Sequence, residues 1–215
     1  MKRTFAALAV CAGALFGTVS AAQAITLSIA GTATNYALPS DFSLSAETGL
    51  ATGTTVKKLG TGGGLSLDTA GWLQFSYLGS EASNHNEFKF SVGGTTIFDN
   101  TSATNAAVVA YQAAGGLLSF LFKDATVGSS VANGGSGSSF LNSIALFRET
   151  ATSWIILFND TCDCDKDYDD LAVRVQAFDR DPGIPAAVPV PGALPLLASG
   201  LVGVGLLARK RRKAA

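Results

Sequence analysis

Histidine occurs once in this 215-residue chain and cysteine three times. That is too few ligands for a His-rich zinc or haem site. Charge is scarce as well, at 14% of residues, and it is unevenly placed. All 16 acidic residues lie between Asp41 and Asp181, while seven of the 15 basic ones sit at the two ends. The middle keeps eight basic residues against sixteen acidic ones, a net of −8. Such a domain lacks the clustered Lys and Arg that phosphate contacts need, which excludes a nucleic-acid partner. The chain between its ends has no long amphipathic helix. Its glycine-rich runs, Gly62-Gly63-Gly64 and Asn133-Gly134-Gly135-Ser136-Gly137-Ser138-Ser139, have no following helix and no lysine in phosphate-loop position. They read as flexible connections.

The two ends read as addresses. Lys2 and Arg3 precede an almost uncharged apolar run from Thr4 to Val19, and Ala22-Gln23-Ala24 follows as an A-x-A site. This is the order of a secretory signal peptide over residues 1–24, cleaved after Ala24, with Cys11 leaving in the removed piece. At the other end, residues 185–215 open with Pro185, Pro189, Pro191 and Pro195. The uncharged stretch from Gly192 to Ala208 spans roughly 25 Å as a helix at 1.5 Å per residue, at the short end of what crosses a bilayer. The basic cluster over 209–213 keeps that end cytoplasmic. The body then lies on the far side of the membrane, as the signal peptide also requires.

Pro is tolerated at a helix start but not inside one, so Val188-Pro189-Val190-Pro191-Gly192 is expected to be extended and accessible beside the membrane. A short motif, a Gly- and Leu-rich helix and a basic tail resemble the PEP-CTERM sorting signals of Gram-negative bacteria, closest to the V-P-x-P-A variant. Gly192 stands where that variant has Ala. The resemblance implies processing by an exosortase-type enzyme and delivery to the cell surface, the extracellular matrix or its exopolysaccharide. A plain C-terminal membrane anchor is the alternative that spacing alone supports.

Residues 25–184 are rich in Gly, Ser, Thr and aromatics, with short apolar runs punctuated by turn residues. This is the pattern of an all-β protein. Strands are expected over 25–30, 71–78, 87–92, 95–98, 117–122, 143–148, 153–158 and 171–178. Leu73, Phe75 and Tyr77 share one face; so do Phe88, Phe90 and Val92; so do Leu171, Val173 and Val175. Trp154-Ile155-Ile156-Leu157-Phe158 is apolar throughout and suits a central strand covered on both sides. The expected fold is an antiparallel, jelly-roll-like β-sandwich.

One segment carries chemistry. Six of the eleven residues from Asp160 to Asp170 are Asp, and Asp163, Asp165, Asp167 and Asp169 recur at every second position. Hard cations such as calcium take six to eight oxygen ligands, and carboxylates packed this closely repel one another unless a cation joins them. The D-x-D-x-D spacing resembles the start of an EF-hand loop. Tyr168, however, stands where the sharp turn wants Gly, and Arg174 stands where the twelfth-position Glu belongs, which excludes an EF-hand. A calcium loop between two strands and a solvated acidic turn both remain open.

Asp167-Tyr168-Asp169-Asp170-Leu171-Ala172-Val173 is similar to the [FY]-[ND]-D-[LMF]-x-V stretch that ends the Asp-rich loop of many secreted bacterial β-sandwich proteins. Phe75-Ser76-Tyr77-Leu78-Gly79-Ser80-Glu81-Ala82, followed by Asn86-Glu87-Phe88, looks like a second stretch of the same proteins. The resemblance implies a calcium-supported sandwich without enzymatic activity. By position it makes Asp163, Asp165, Asp167, Asp169 and Asp170 the candidate ligands, with Glu81 and Glu87 as weaker ones.

After signal removal only Cys162 and Cys164 remain. Export favours a disulfide, and so short a ring is strained. A local staple, a redox switch and a soft-metal thiolate pair are the three readings, and the staple is preferred because neighbouring carboxylates disfavour reactive thiolates. His85 lies in a turn with no nucleophile-elbow pattern near it, which argues against a hydrolase. The expected function is a non-enzymatic, exported surface or exopolysaccharide-associated protein. The alternative is a calcium-dependent carbohydrate-binding module or adhesin, with Trp72, Tyr77, Tyr111 and Trp154 as the aromatics available for sugar stacking.

Overall fold

The computed structural model describes residues 24–90, 96–135, 143–160 and 166–184. The expected signal peptide, Cys162, Asp163, Cys164, Asp165, the 188–192 motif, the expected helix over 192–208 and the basic residues over 209–213 fall outside these residues, apart from Ala24. Among the described residues no helix is long and apolar enough to cross a membrane. They divide into two units, one ending at Asp179 and one beginning at Arg180.

The first unit is all-β with antiparallel sheets, consistent with a β-sandwich. A three-stranded sheet joins β1 (Leu27–Ala30), β4 (Gly64–Leu67) and β9 (Gly116–Leu117). A four-stranded sheet runs β11 (Ser129–Ala132), β10 (Phe120–Asp124), β6 (Asn86–Phe90) and β7 (Thr96–Asp99). A seven-stranded sheet runs β2 (Ala33–Ala37), β3 (Thr55–Leu59), β12 (Ser143–Arg148), β13 (Ser153–Asn159), β14 (Leu171–Phe178), β5 (Gly71–Gly79) and β8 (Ala107–Gln112). One helical turn, α1 (Ser45–Thr48), ends on Gly49 in the left-handed conformation.

The seven-stranded sheet is covered on both faces. Because side chains alternate along a strand, Trp154, Ile156 and Phe158 of β13 enter one apolar cluster and Ile155 and Leu157 the other. The larger cluster takes Leu73, Phe75 and Tyr77 from β5 and Phe88, Phe90, Phe120 and Phe122 from the four-stranded sheet. The smaller one lies under Leu38, Phe42, Leu44 and Leu50, the segment that carries α1. Trp154 and Tyr77 are therefore core residues, which removes them from the sugar-stacking set.

The glycine-rich runs are not loose connections where the structure describes them. Asn133 accepts the Leu65 N–H on Oδ1 at 2.7 Å and donates from Nδ2 to the carbonyls of Leu65 and Leu118, both at 2.8 Å. The Gly134 N–H reaches the Gly63 carbonyl. At Gly63 itself a Cβ would stand 1.9 Å from the Thr32 carbonyl oxygen. Glycine is required there by close backbone approach, and the two runs hold each other.

Ala24 is exposed, while Ile25 is already buried, its Cδ1 filling the space beside Gly71.

Candidate metal centre

The turn before β14 is fixed by hydrogen bonds to three distant segments. The Asp160 N–H donates to Asp170 Oδ2 at 2.7 Å, and the Tyr168 N–H donates to Asn159 Oδ1 at 3.4 Å. The Glu81 N–H donates to the Asp169 carbonyl at 3.1 Å, and Ser80 Oγ donates to the Asp170 carbonyl at 2.5 Å. The Ser43 N–H donates to Asp169 Oδ2 at 2.5 Å. The Tyr36 hydroxyl donates to the Lys166 carbonyl. These bonds bring carboxylate oxygens of Glu81, Asp167 and Asp169 within 4.8 Å of one another. Glu81 is exposed, whereas Asp167 and Asp169 are buried.

Tyr168 makes the turn possible. Its backbone has φ +67°, in the left-handed region, which costs an ordinary residue roughly 1–2 kcal/mol. Its ring is fully buried in the smaller cluster, edge-on to Tyr36 with centroids 5.3 Å apart. Its hydroxyl accepts a bond from Ser143 Oγ at 2.9 Å. Burial first, and then the nearby Tyr36, push the phenol above its ordinary value, against the lowering effect of the Ser143 bond. Burial also raises Tyr36, followed by the negative charges of Asp167 and Asp41.

Tyr168 therefore adopts the sharp-turn backbone that the EF-hand comparison reserves for glycine, which corrects the expectation that tyrosine there prevents it. An EF-hand remains excluded because β13 and β14 flank the segment instead of helices.

Asp169 supplies the test of fit for a cation. It is fully buried, Oδ2 has its Ser43 partner, and Oδ1 has no hydrogen-bond partner among the described residues. A buried carboxylate oxygen without a donor is costly, and a hard cation satisfies it. Among the described residues the donors are carboxylate oxygens, two of the three groups buried, a set that suits calcium better than zinc.

Of the five Asp ligands expected, Asp167 and Asp169 stand in the cluster. Asp170 is placed differently: its Oδ2 holds the Asp160 N–H, and it is not among the converging carboxylates. Asp163 and Asp165, like the Cys162–Cys164 pair, lie outside the described residues. Glu81, the weaker candidate, takes the third place. Glu87 does not: it forms an ion pair with Lys89 at 2.9 Å, and the Lys89 ammonium is the main influence holding its carboxyl below the usual range. Ser43 was not legible at all, since it meets Asp169 across 126 positions.

His85 is about half-exposed, 3.8 Å from Asp99 Oδ2. Tyr111 is 49% exposed and tilted against Trp72 at 5.1 Å. It lines a groove of about 340 Å³ with Phe90, Ile97 and Val108.

No protein-family model, no curated protein and no solved structure matches this chain.

Proposed function

We propose that this chain is an exported, non-enzymatic protein of the cell surface or exopolysaccharide matrix, with a jelly-roll-like body braced by calcium. Two observations carry the calcium reading: the convergence of the Glu81, Asp167 and Asp169 carboxylates, and the buried Asp169 Oδ1 without a hydrogen-bond partner among the described residues. Asp167 and Asp169 would hold the ion from the turn and Glu81 from the β5–β6 connection. A bound ion there ties together stretches of chain that otherwise share only a few hydrogen bonds. The jelly-roll character is supported by antiparallel neighbours far apart in sequence, β3 beside β12 and β14 beside β5. The export reading rests on the two end segments and their resemblance to exosortase-processed signals, with the membrane holding the precursor through 192–208.

The test is a thermal melt of the full chain in detergent, with calcium and with a chelator. A site at 100 times its dissociation constant stabilises by about 2.7 kcal/mol, or roughly 5–11 °C for a chain of this size. Glu81→Gln and Asp169→Asn are each expected to remove the share of that rise that this site supplies. Asp170→Asn is expected to lower both curves and keep the difference, because its role is to hold the Asp160 N–H. Equal melts with calcium and chelator would defeat the calcium reading. The export reading requires a cell-surface form that starts at Ile25 and lacks the basic tail, as read by intact mass.

The half-exposed Tyr111 against Trp72 favours a second reading, a carbohydrate-binding module or adhesin. Calcium-dependent hits on a glycan array, lost in Tyr111→Ala, would put it first.

A further inference from the structure

A second polar cluster closes one end of the larger apolar core. Phe122 of β10 stacks on Phe158 of β13, centroids 4.8 Å apart and planes within 4°, and Phe88 of β6 packs on Phe122 at 5.0 Å. One same-face step beyond each ring, two residues along, stand Asp124, Asp160 and Asn86. Phe88 pairs in register with Phe122, and Asn86 with Asp124. Directly opposed residues have Cβ atoms about 5 Å apart. Asn86 Nδ2 donates to Asp160 Oδ2 at 3.0 Å. Asn86 and Asp124 are fully buried, and Asp160 is 1% exposed.

The surroundings fix these side chains in place. Asp124 Oδ2 accepts from Asn84 Nδ2 at 3.0 Å, and Oδ1 accepts the N–H groups of Thr126 and Val127 at 2.9 and 3.2 Å. The Asn86 N–H donates to Asn100 Oδ1 at 2.7 Å. Within this network Asn86 Oδ1 is buried and has no hydrogen-bond partner among the described residues. The amide cannot be turned to relieve it, because that would set Oδ1 against the Asp160 carboxylate and leave Nδ2 in its place.

We propose that Asn86, Asp124 and Asp160 form a second site for a hard divalent cation, calcium by class, separate from the cluster of Glu81, Asp167 and Asp169. Two carboxylates and a neutral amide oxygen are ordinary calcium ligands. An ion between β6, β10 and the end of β13 satisfies Asn86 Oδ1 and fastens the four-stranded sheet to the seven-stranded one over the aromatic stack.

Calcium binding to the full chain in detergent, measured by equilibrium dialysis, tests this independently of the first site. In the Glu81→Gln/Asp169→Asn double variant, stoichiometry is expected to fall from two ions per chain to one. Adding Asn86→Asp to that background turns the amide into a carboxylate, and the remaining ion is expected to bind roughly tenfold tighter, as affinity follows ligand charge. Loss of all calcium in the double variant overturns the second site and leaves the first standing. A remaining ion whose affinity ignores Asn86→Asp overturns it as well. A single ion in the wild type that survives the double variant and responds to Asn86→Asp supports this site and defeats the first. The dialysis result for the double variant decides even if the Asn86 variant fails to fold.

Discussion

Tyr168→Ala is expected to lower the melting temperature by roughly 6–20 °C and to remove the share of the calcium-dependent rise that Glu81, Asp167 and Asp169 supply. Truncating a buried aromatic side chain costs about 3–5 kcal/mol, and a chain of this size loses roughly 2–4 °C per kcal/mol. The ring is fully buried beneath the segment that carries α1, where it meets Tyr36 and Ser143. Its removal frees the backbone that aims Asp167 and Asp169. Two further substitutions separate the causes. Tyr168→Phe keeps the ring and loses one hydrogen bond, at about 1 kcal/mol, so its calcium rise should persist. Tyr168→Gly loses the ring and relieves the left-handed backbone, so it should melt higher than the alanine variant, by about 1 kcal/mol of stability. The pH profile gives a third reading. The phenol is raised above its ordinary 10.0 in the fold, so the fold favours the neutral form. Its contribution is complete below pH 10 and declines as the pH climbs through 10, where the unfolded chain begins to ionise. Stability should therefore fall above pH 10 in the wild type and more gently in Tyr168→Phe. An alanine variant that melts with the wild type would remove Tyr168 from the account of the site.

How much of this was legible beforehand depends on where each residue sits in its sheet. The bounds of β12 and β14 coincide with the strands expected over 143–148 and 171–178, and β5 and β13 run one residue longer than expected. These are interior strands with clear alternation or continuous apolar runs. By contrast β2, β3, β4, β8 and β11 lie outside the expected strands. β2, β8 and β11 are edge strands, and their sequences, such as Ala-Thr-Asn-Tyr-Ala in β2, carry little pattern because one side meets solvent. The stretch 117–122 reads as one strand. The chain bends at Leu118, whose N–H bonds to Leu65, and continues as β10 in a different sheet. At the site, Asp167 and Asp169, two of the alternately spaced residues, have carboxylate oxygens in one cluster. Asp170 entered the ligand set through the resemblance and not through the spacing, and its Oδ2 instead holds the Asp160 N–H. Ser43 and Asp124 carry no local signal. Their roles come from chain segments that meet only after folding.

The other large effect is expected at Phe88. Phe88→Ala should cost about 3–5 kcal/mol and lower the melting temperature by roughly 6–20 °C, in calcium and chelator alike. Phe88 is fully buried and touches four aromatic rings, those of Phe75, Phe98, Phe120 and Phe122, with centroids between 5.0 and 6.3 Å. Pairs of this kind add about 0.5–1.5 kcal/mol each beyond area burial. The ring also joins sheets, since Phe75 belongs to β5 of the seven-stranded sheet and the other three to the four-stranded one. Against a typical total of about 5–15 kcal/mol, the loss removes a large share of what binds the two sheets. The exposed Val109→Ala makes the control, with a change within about 0.5 kcal/mol. The calcium dependence is what distinguishes core from site. Glu81, Asp167 and Asp169 keep their backbone anchors in the Phe88 variant, so their share of the gap between the calcium and chelator curves should survive even though both melts fall. If that gap closes in Phe88→Ala, the metal site depends on the packing between the sheets and not on the turn at Tyr168 alone.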